Sequence, residues 1–249
     1  MFNNLLNKPL KLTKTHDFCP SGKPRLTAVF LHGIASESST FKSAIDYLEG
    51  TTSLRDVRFV TFDLLGSGKS LKSDKLNYDF KEQLEALDNA ISDLKLDTPM
   101  VLVGHSMGCL ISSRYTDLHK RKVKELILIS PPIYRPEDFK NPAFMMGQDG
   151  FKKVVFQKNP SLKTDKAFNN EMEKIVLNTK NYEIYTRLTR PTTIIFGLAD
   201  QIIASFNIPG LLRKNSKIVA IETPGAHGIS RDKYIKMLPI FEKVLNEVI

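Results

Sequence analysis

Cysteine is nearly absent: Cys19 and Cys109 are the two in a chain of 249 residues. Two thiols make no disulfide framework and match no metal-ligand spacing. Cys109 lies in an apolar stretch and reads as a small buried hydrophobe. Long apolar runs are also missing. No segment approaches the ~20 residues of a membrane helix. Met1–Lys14 mixes Asn, Lys, Leu and Pro and lacks the apolar core of a signal peptide. A cytoplasmic protein without a transmembrane segment is therefore expected. Internal repeats, low-complexity linkers, an Arg-rich arm, a helix-turn-helix pattern and an RNP-like aromatic stretch are likewise lacking. These absences bear on the net charge of +9. The lysines are scattered and usually have an acid nearby, as from Lys120 to Glu125. The excess reads as solvated surface, and no nucleic acid is expected as a partner. A weak preference for acidic substrates or anionic surfaces stays open.

What is present suits a globular core: 41% hydrophobic and 25% charged residues. The length fits one large domain, or one with an insertion. Short β-branched runs alternate with amphipathic segments. Strands are expected at Leu26–Leu31, Arg58–Phe62, Met100–Val103, Glu125–Ile129, Thr192–Phe196 and Lys217–Ile221. Most are continuous apolar runs, as parallel strands covered on both faces require. Phe80, Leu84, Leu87, Ile91 and Leu94 form one helical stripe, with Asp79 as its N-cap candidate. Met107–His119 and Tyr234–Val248 read as further helices, with a kink or break at Pro239. Leu10–Phe18 reads as an edge hairpin. Strand, helix and strand in repeated order predict an α/β fold with a mostly parallel, doubly wound sheet. From Arg135 to Arg190 no strand is evident, and Phe168–Leu177 and Tyr182–Leu188 read as helical. The expected division is a core of residues 1–134 and 191–249 with a helical cap insertion at 135–190.

The strongest chemical signal is Gly104-His105-Ser106-Met107-Gly108, placed directly after a strand and before a helix. A serine nucleophile must project from a sharp strand-to-helix turn, and small residues let such a turn close. The helix start offers the Met107 N–H to a developing oxyanion. His32-Gly33-Ile34 ends an earlier strand, and the Ile34 N–H is the expected second donor. Asp63-Leu-Leu-Gly66-Ser-Gly68-Lys69-Ser70 contains Gly-Lys-Ser, but a phosphate loop needs glycine where Asp63 stands, so a tight structural turn is expected. Gly197-Leu-Ala-Asp200 and Gly225-Ala-His227-Gly228 each follow a strand. Both set a polar residue beyond a strand's carboxyl end, where open α/β sheets bind ligands. In the order Ser106, Asp200, His227 these residues make a triad: His227 takes the serine proton, and Asp200 fixes its tautomer. His105 reads as packing, His32 as shaping its loop, and His16 and His119 as surface.

With these motifs the chain resembles the α/β-hydrolase superfamily over nearly its whole length, in the serine-nucleophile branch of carboxylesterases, monoacylglycerol lipases and small thioesterases. Haloalkane dehalogenases and epoxide hydrolases carry Asp where this chain has Ser106. The resemblance implies hydrolysis of a small-molecule ester or thioester through an acyl-enzyme, without a metal or organic cofactor. Phe144, Met145, Met146, Phe151 and Phe156 could line an acyl pocket or form the insertion's own small core. The same triad also serves C–C bond hydrolysis, acyl transfer and perhydrolysis, and a non-catalytic binding protein on the same fold is the rival of another class.

Overall fold

The computed structural model describes residues 9–140, 150–178, 180–228 and 231–249. Among them a seven-stranded sheet has the order β1-β3-β2-β4-β5-β6-β7. Its strands are β1 (Thr13–Phe18), β2 (Leu26–Leu31), β3 (Val57–Asp63), β4 (Met100–His105), β5 (Val123–Ile129), β6 (Thr192–Gly197) and β7 (Ile218–Thr223). All neighbouring pairs are parallel except β1 with β3, which is antiparallel. This is the α/β-hydrolase fold class, and each apolar run expected as a strand is one. The segment read as an edge hairpin is instead a single strand, with β3 as its partner. Arg58 clamps it there, giving Nε to Asp17 Oδ1 at 2.7 Å and Nη2 to Oδ2 at 2.8 Å.

Alternation along the strands sorts the core onto two faces. Ala28, Phe30, Phe59, Val101, Val103, Ile127 and Ile129 face one way. They meet α1 (Lys42–Gly50) and α8 (Arg231–Val248) through Ile45, Leu48, Met237, Phe241 and Leu245. Val29, Leu31, Phe62, Leu102, Leu126 and Leu128 face the other way. That face is covered by α2 (Phe80–Asp93), α3 (Met107–Leu118) and the helices between β5 and β6. The latter are α4 (Gly150–Lys158), α5 (Lys166–Glu171), a π-helical turn at Met172–Val176 and α6 (Asn181–Thr186). A further helix, α7 (Ile208–Lys214), joins β6 to β7. The α8 helix runs through Pro239 without the expected break. The missing amide there removes one bond of an 18-residue helix whose inner side is buried. No helix among the described residues is long and apolar enough to cross a membrane.

Candidate active site

Three strand ends supply the site. Ser106 stands between β4 and α3 with φ 51° and ψ −116°, a conformation that L-residues rarely adopt. The turn closes only because its flanking residues are small. A Cβ on Gly104 would lie 2.6 Å from Gly108 O and Cys109 N, and one on Gly108 would lie 2.1 Å from Leu31 O. The turn is pinned by Ser106 N to Ile129 O at 3.0 Å and Cys109 N to Ser106 O at 2.9 Å. Cys109 is buried as expected, but it also acts as a weak donor. Its Sγ reaches Gly104 O at 3.1 Å, and burial pushes the thiol up, so it stays protonated.

His227, in the loop after β7, is half-buried, and Asp200, after β6, is buried. His227 Nδ1 lies 3.0 Å from Asp200 Oδ2, and His227 Nε2 lies 3.0 Å from Ser106 Oγ. A carboxylate only accepts, so Nδ1 carries the ring proton and Nε2 accepts from the Ser106 hydroxyl. Burial alone would raise the Asp200 carboxyl. The hydrogen bond and charge of His227, the Ile202 N–H and the Ser130 hydroxyl outweigh it and hold the carboxyl below its ordinary value. Asp200 Oδ1 accepts from Ile202 N at 3.0 Å, and Tyr134 Oη donates to Ile202 O at 2.9 Å. Gly197 lets the two loops touch: a Cβ there would lie 2.2 Å from Gly225 O, which accepts from Ala199 N at 3.0 Å. Ser106, Asp200 and His227 thus come together although up to 121 positions separate them.

The His32-Gly33 loop lies against the serine, since a Cβ on Gly33 would stand 3.0 Å from Ser106 Cβ. His32 Nδ1 donates to Gly33 O at 2.8 Å while Nε2 accepts from Leu64 N at 2.9 Å. Burial lowers its pKa, which keeps it in that neutral tautomer. His32 therefore shapes its loop as expected and also ties it to Leu64, just past the end of β3. Ile34 follows on this loop, and Met107 opens α3, so its own amide precedes the first bond of the helix. The Asp63 turn is structural. Asp63 accepts from Ser38 N at 2.9 Å and Lys69 N at 2.8 Å, and a Cβ on Gly68 would overlap its carboxylate at 2.1 Å.

Other residues differ from expectation. His105 is buried, as packing requires, and its Nε2 in addition reaches His227 O at 3.2 Å. His16 and His119 are half-buried rather than free surface: His16 meets Glu49 at 2.6 Å, and His119 stacks on Tyr115 at 4.2 Å. Phe144, Met145 and Met146 lie outside the described residues, as does the side chain of Phe151. Phe156 packs edge-on against Phe168 at 5.7 Å and so joins the core on the α2–α3 face of the sheet. The supports from Ser130, Tyr134 and His105 escaped the sequence. Their only signal was position: Ser130 directly follows an apolar strand, and His105 precedes the serine.

Among known proteins, the chain is 32% identical over 130 residues to Probable lysophospholipase BODYGUARD 5 of Arabidopsis thaliana, covering 52% of this chain and 29% of that one. It spans less than a third of the length of the curated relatives it matches first. An esterase of Exiguobacterium antarcticum superposes with a TM-score of 0.70 at 20% identity, over 94% of this chain and 95% of its own. A monoacylglycerol lipase of Paleococcus ferrophilus gives 0.66 at 20% identity, over 96% of this chain and 100% of its own. At these identities the likeness is one of fold. Residues 29–167, more than half of the chain, match the model of the alpha/beta hydrolase fold family, and the chain belongs to that family.

Proposed function

We propose that this chain is a serine hydrolase that cleaves carboxylic ester or thioester bonds of small to medium acyl substrates. The observation that carries the reading is the hydrogen-bonded series Ser106 Oγ–His227–Asp200, with both separations 3.0 Å, on a backbone strained at the serine. Two of its members lie beyond the matched family segment, so their meeting is an independent support.

In the proposed reaction Ser106 Oγ attacks the substrate carbonyl as its proton passes to His227 Nε2. Asp200 stabilises the imidazolium without taking the proton. The oxyanion is held by the N–H groups of Ile34 and Met107; the Ser106 amide is already engaged by Ile129 O. Collapse expels the alcohol or thiol, which leaves with the proton from His227. Water then attacks the acyl-enzyme, His227 takes its proton, and the acid is released as the proton returns to Ser106. We assign residues 135–190 as a cap over this site, with Phe144, Met145, Met146 and Phe151 as its acyl-contacting residues. The relative's name suggests lysophospholipids as one substrate class to try.

The test is a panel of p-nitrophenyl esters from acetate to palmitate, a monoacylglycerol and a lysophospholipid, beside labelling with a fluorophosphonate. Wild type is expected to take the label and to prefer short to medium chains. Ser106→Ala should lose the label and at least about 1000-fold in kcat. Equal activity in that variant refutes the nucleophile. An unlabelled, inactive wild type would favour a binding protein on this fold. Labelling without ester turnover would favour C–C cleavage, acyl transfer or perhydrolysis by the same triad.

A further inference from the structure

His227 stands on an exposed stretch of backbone: Pro224, Gly225, Ala226 and Gly228 are all exposed. An exposed loop is costly to hold in one geometry, yet transfer between Ser106 and His227 tolerates an error of only ~0.5 Å. The side chain is restrained by Asp200, but the ring can be no better placed than the backbone that carries it. That backbone is tied on one side by Ala199 N to Gly225 O at 3.0 Å. At His227 itself the carbonyl faces His105 Nε2 at 3.2 Å, with the two ring centroids 5.3 Å apart.

We propose that His105 is a positioning residue for the reaction: its Nε2–H holds the main-chain carbonyl of His227 and so sets the distance from the His227 ring to Ser106. This rests on the reading under Proposed function. A carbonyl has no proton to give, so Nε2 of His105 must be the protonated nitrogen. His105 and Ser106 are successive residues on one strained turn, which is closed by Gly104 and Gly108 and bonded to Ile129. The general base is therefore referenced to the same rigid frame as the nucleophile, through one peptide unit. The loop that bears Ile34 is shaped around this imidazole as well, since a Cβ on Gly33 would stand 3.1 Å from His105 Nδ1. An apolar residue of equal size at 105 would fill the space and leave the His227 carbonyl without its anchor.

The experiment compares wild type, His105→Phe and His105→Gln in the full chain, with p-nitrophenyl butyrate, a fluorophosphonate and NMR. His105→Phe keeps an aromatic ring and loses the donor; His105→Gln restores an N–H. We expect kcat to fall about 10-fold in His105→Phe with KM within about 2-fold, because alignment and not binding is lost. The rate of fluorophosphonate labelling should fall with it. The downfield Nδ1 proton of His227 should broaden, and His105→Gln should recover most of the loss. A His105→Phe enzyme within 2-fold of wild type, or equal losses in both variants with the His227 proton unchanged, overturns the proposal. Wild type supplies a reading that needs no variant: ring 15N shifts should show His105 as the Nε2–H tautomer, and the Nδ1–H tautomer overturns the proposal outright. A wild type that takes no fluorophosphonate refutes the catalytic reading instead. The tautomer and the His227 proton then still decide whether His105 anchors the loop.

Discussion

Gly108 packs so closely on β2 that a methyl group there would stand 2.1 Å from Leu31 O and 2.7 Å from His32 O, both backbone atoms. Neither carbonyl can move without shifting β2 and the loop that bears Ile34. Gly108→Ala should therefore lower stability by at least about 2 kcal/mol, read from the urea midpoint, and should cut any esterase activity beyond what the stability loss explains. A variant as stable and active as wild type would mean that the turn has slack. At this scale the sequence was legible where residue type answers a local need. The glycines of the elbow, the serine, and the acid and base at strand ends announce themselves by what the backbone or the chemistry demands. Ser130, Tyr134 and His105 did not. Their work depends on meeting residues 68 to 122 positions away, and no local spacing encodes that meeting.

Among the elements, α2 shows a start written into the sequence. Asp79 Oδ1 accepts from Glu82 N at 3.0 Å, and Glu82 Oε2 accepts from Asn77 N and Tyr78 N, each at 2.7 Å. Asp79→Ala should cost about 1 kcal/mol in thermal or urea unfolding, as the loss of an N-cap does. Strands with continuous apolar runs were legible for a related reason: burial on both faces leaves no other composition. The edge strand β1, with three residues half-buried and three exposed, carries no such pattern, and the Asp17–Arg58 clamp adds to its backbone pairing with β3. The helical segment between β5 and β6 was legible as helical, but its attachment was not. There Gln83, buried on α2, gives its Nε2 to Leu65 O at 3.1 Å and to Glu171 Oε1 at 3.0 Å, while its Oε1 accepts from Leu65 N at 3.1 Å. Burial pushes the Glu171 carboxyl well above its ordinary range, so the fold favours its neutral form. Glu171→Gln should then be nearly neutral for stability, within about 0.5 kcal/mol, while Glu171→Ala should cost about 1–3 kcal/mol by leaving one buried N–H of Gln83 without its acceptor. Equal costs for the two would show that the carboxyl is charged.

Across the whole molecule, parallel order puts function at one end of the sheet. Ser106, Asp200 and His227 follow the carboxyl ends of β4, β6 and β7. At the opposite end, a cavity of about 690 Å³ is rimmed by Lys95, Arg121, Lys122 and Lys124. There Lys122 pairs with Asp88 at 3.2 Å. The basic excess thus lies partly away from the site, as solvated surface would. Charge also makes stability depend on pH, and two carboxyls shifted in opposite directions show both signs. The Arg58 guanidinium bound to Asp17 lowers that carboxyl to about 2. A depressed carboxyl stabilises the fold above its unfolded value of ~3.9, and the contribution is lost as pH falls through 2. Glu125, on β5, is pushed up to about 7, by burial first and then by the like charge of Glu247, against the opposing hydrogen bond of Thr193. For a raised carboxyl the sign reverses. The folded state binds the extra proton between the unfolded value of ~4.3 and 7, so stability falls as pH rises through that window. Glu125→Gln removes the titration and keeps a hydrogen-bonding group. It should stabilise the protein by about 1–2 kcal/mol at pH 8, after allowance for partial solvent access, and by nothing at pH 4. Urea midpoints of wild type and variant at the two pH values measure this. A gain that is the same at both pH values would assign the effect to packing and leave Glu125 with an ordinary carboxyl.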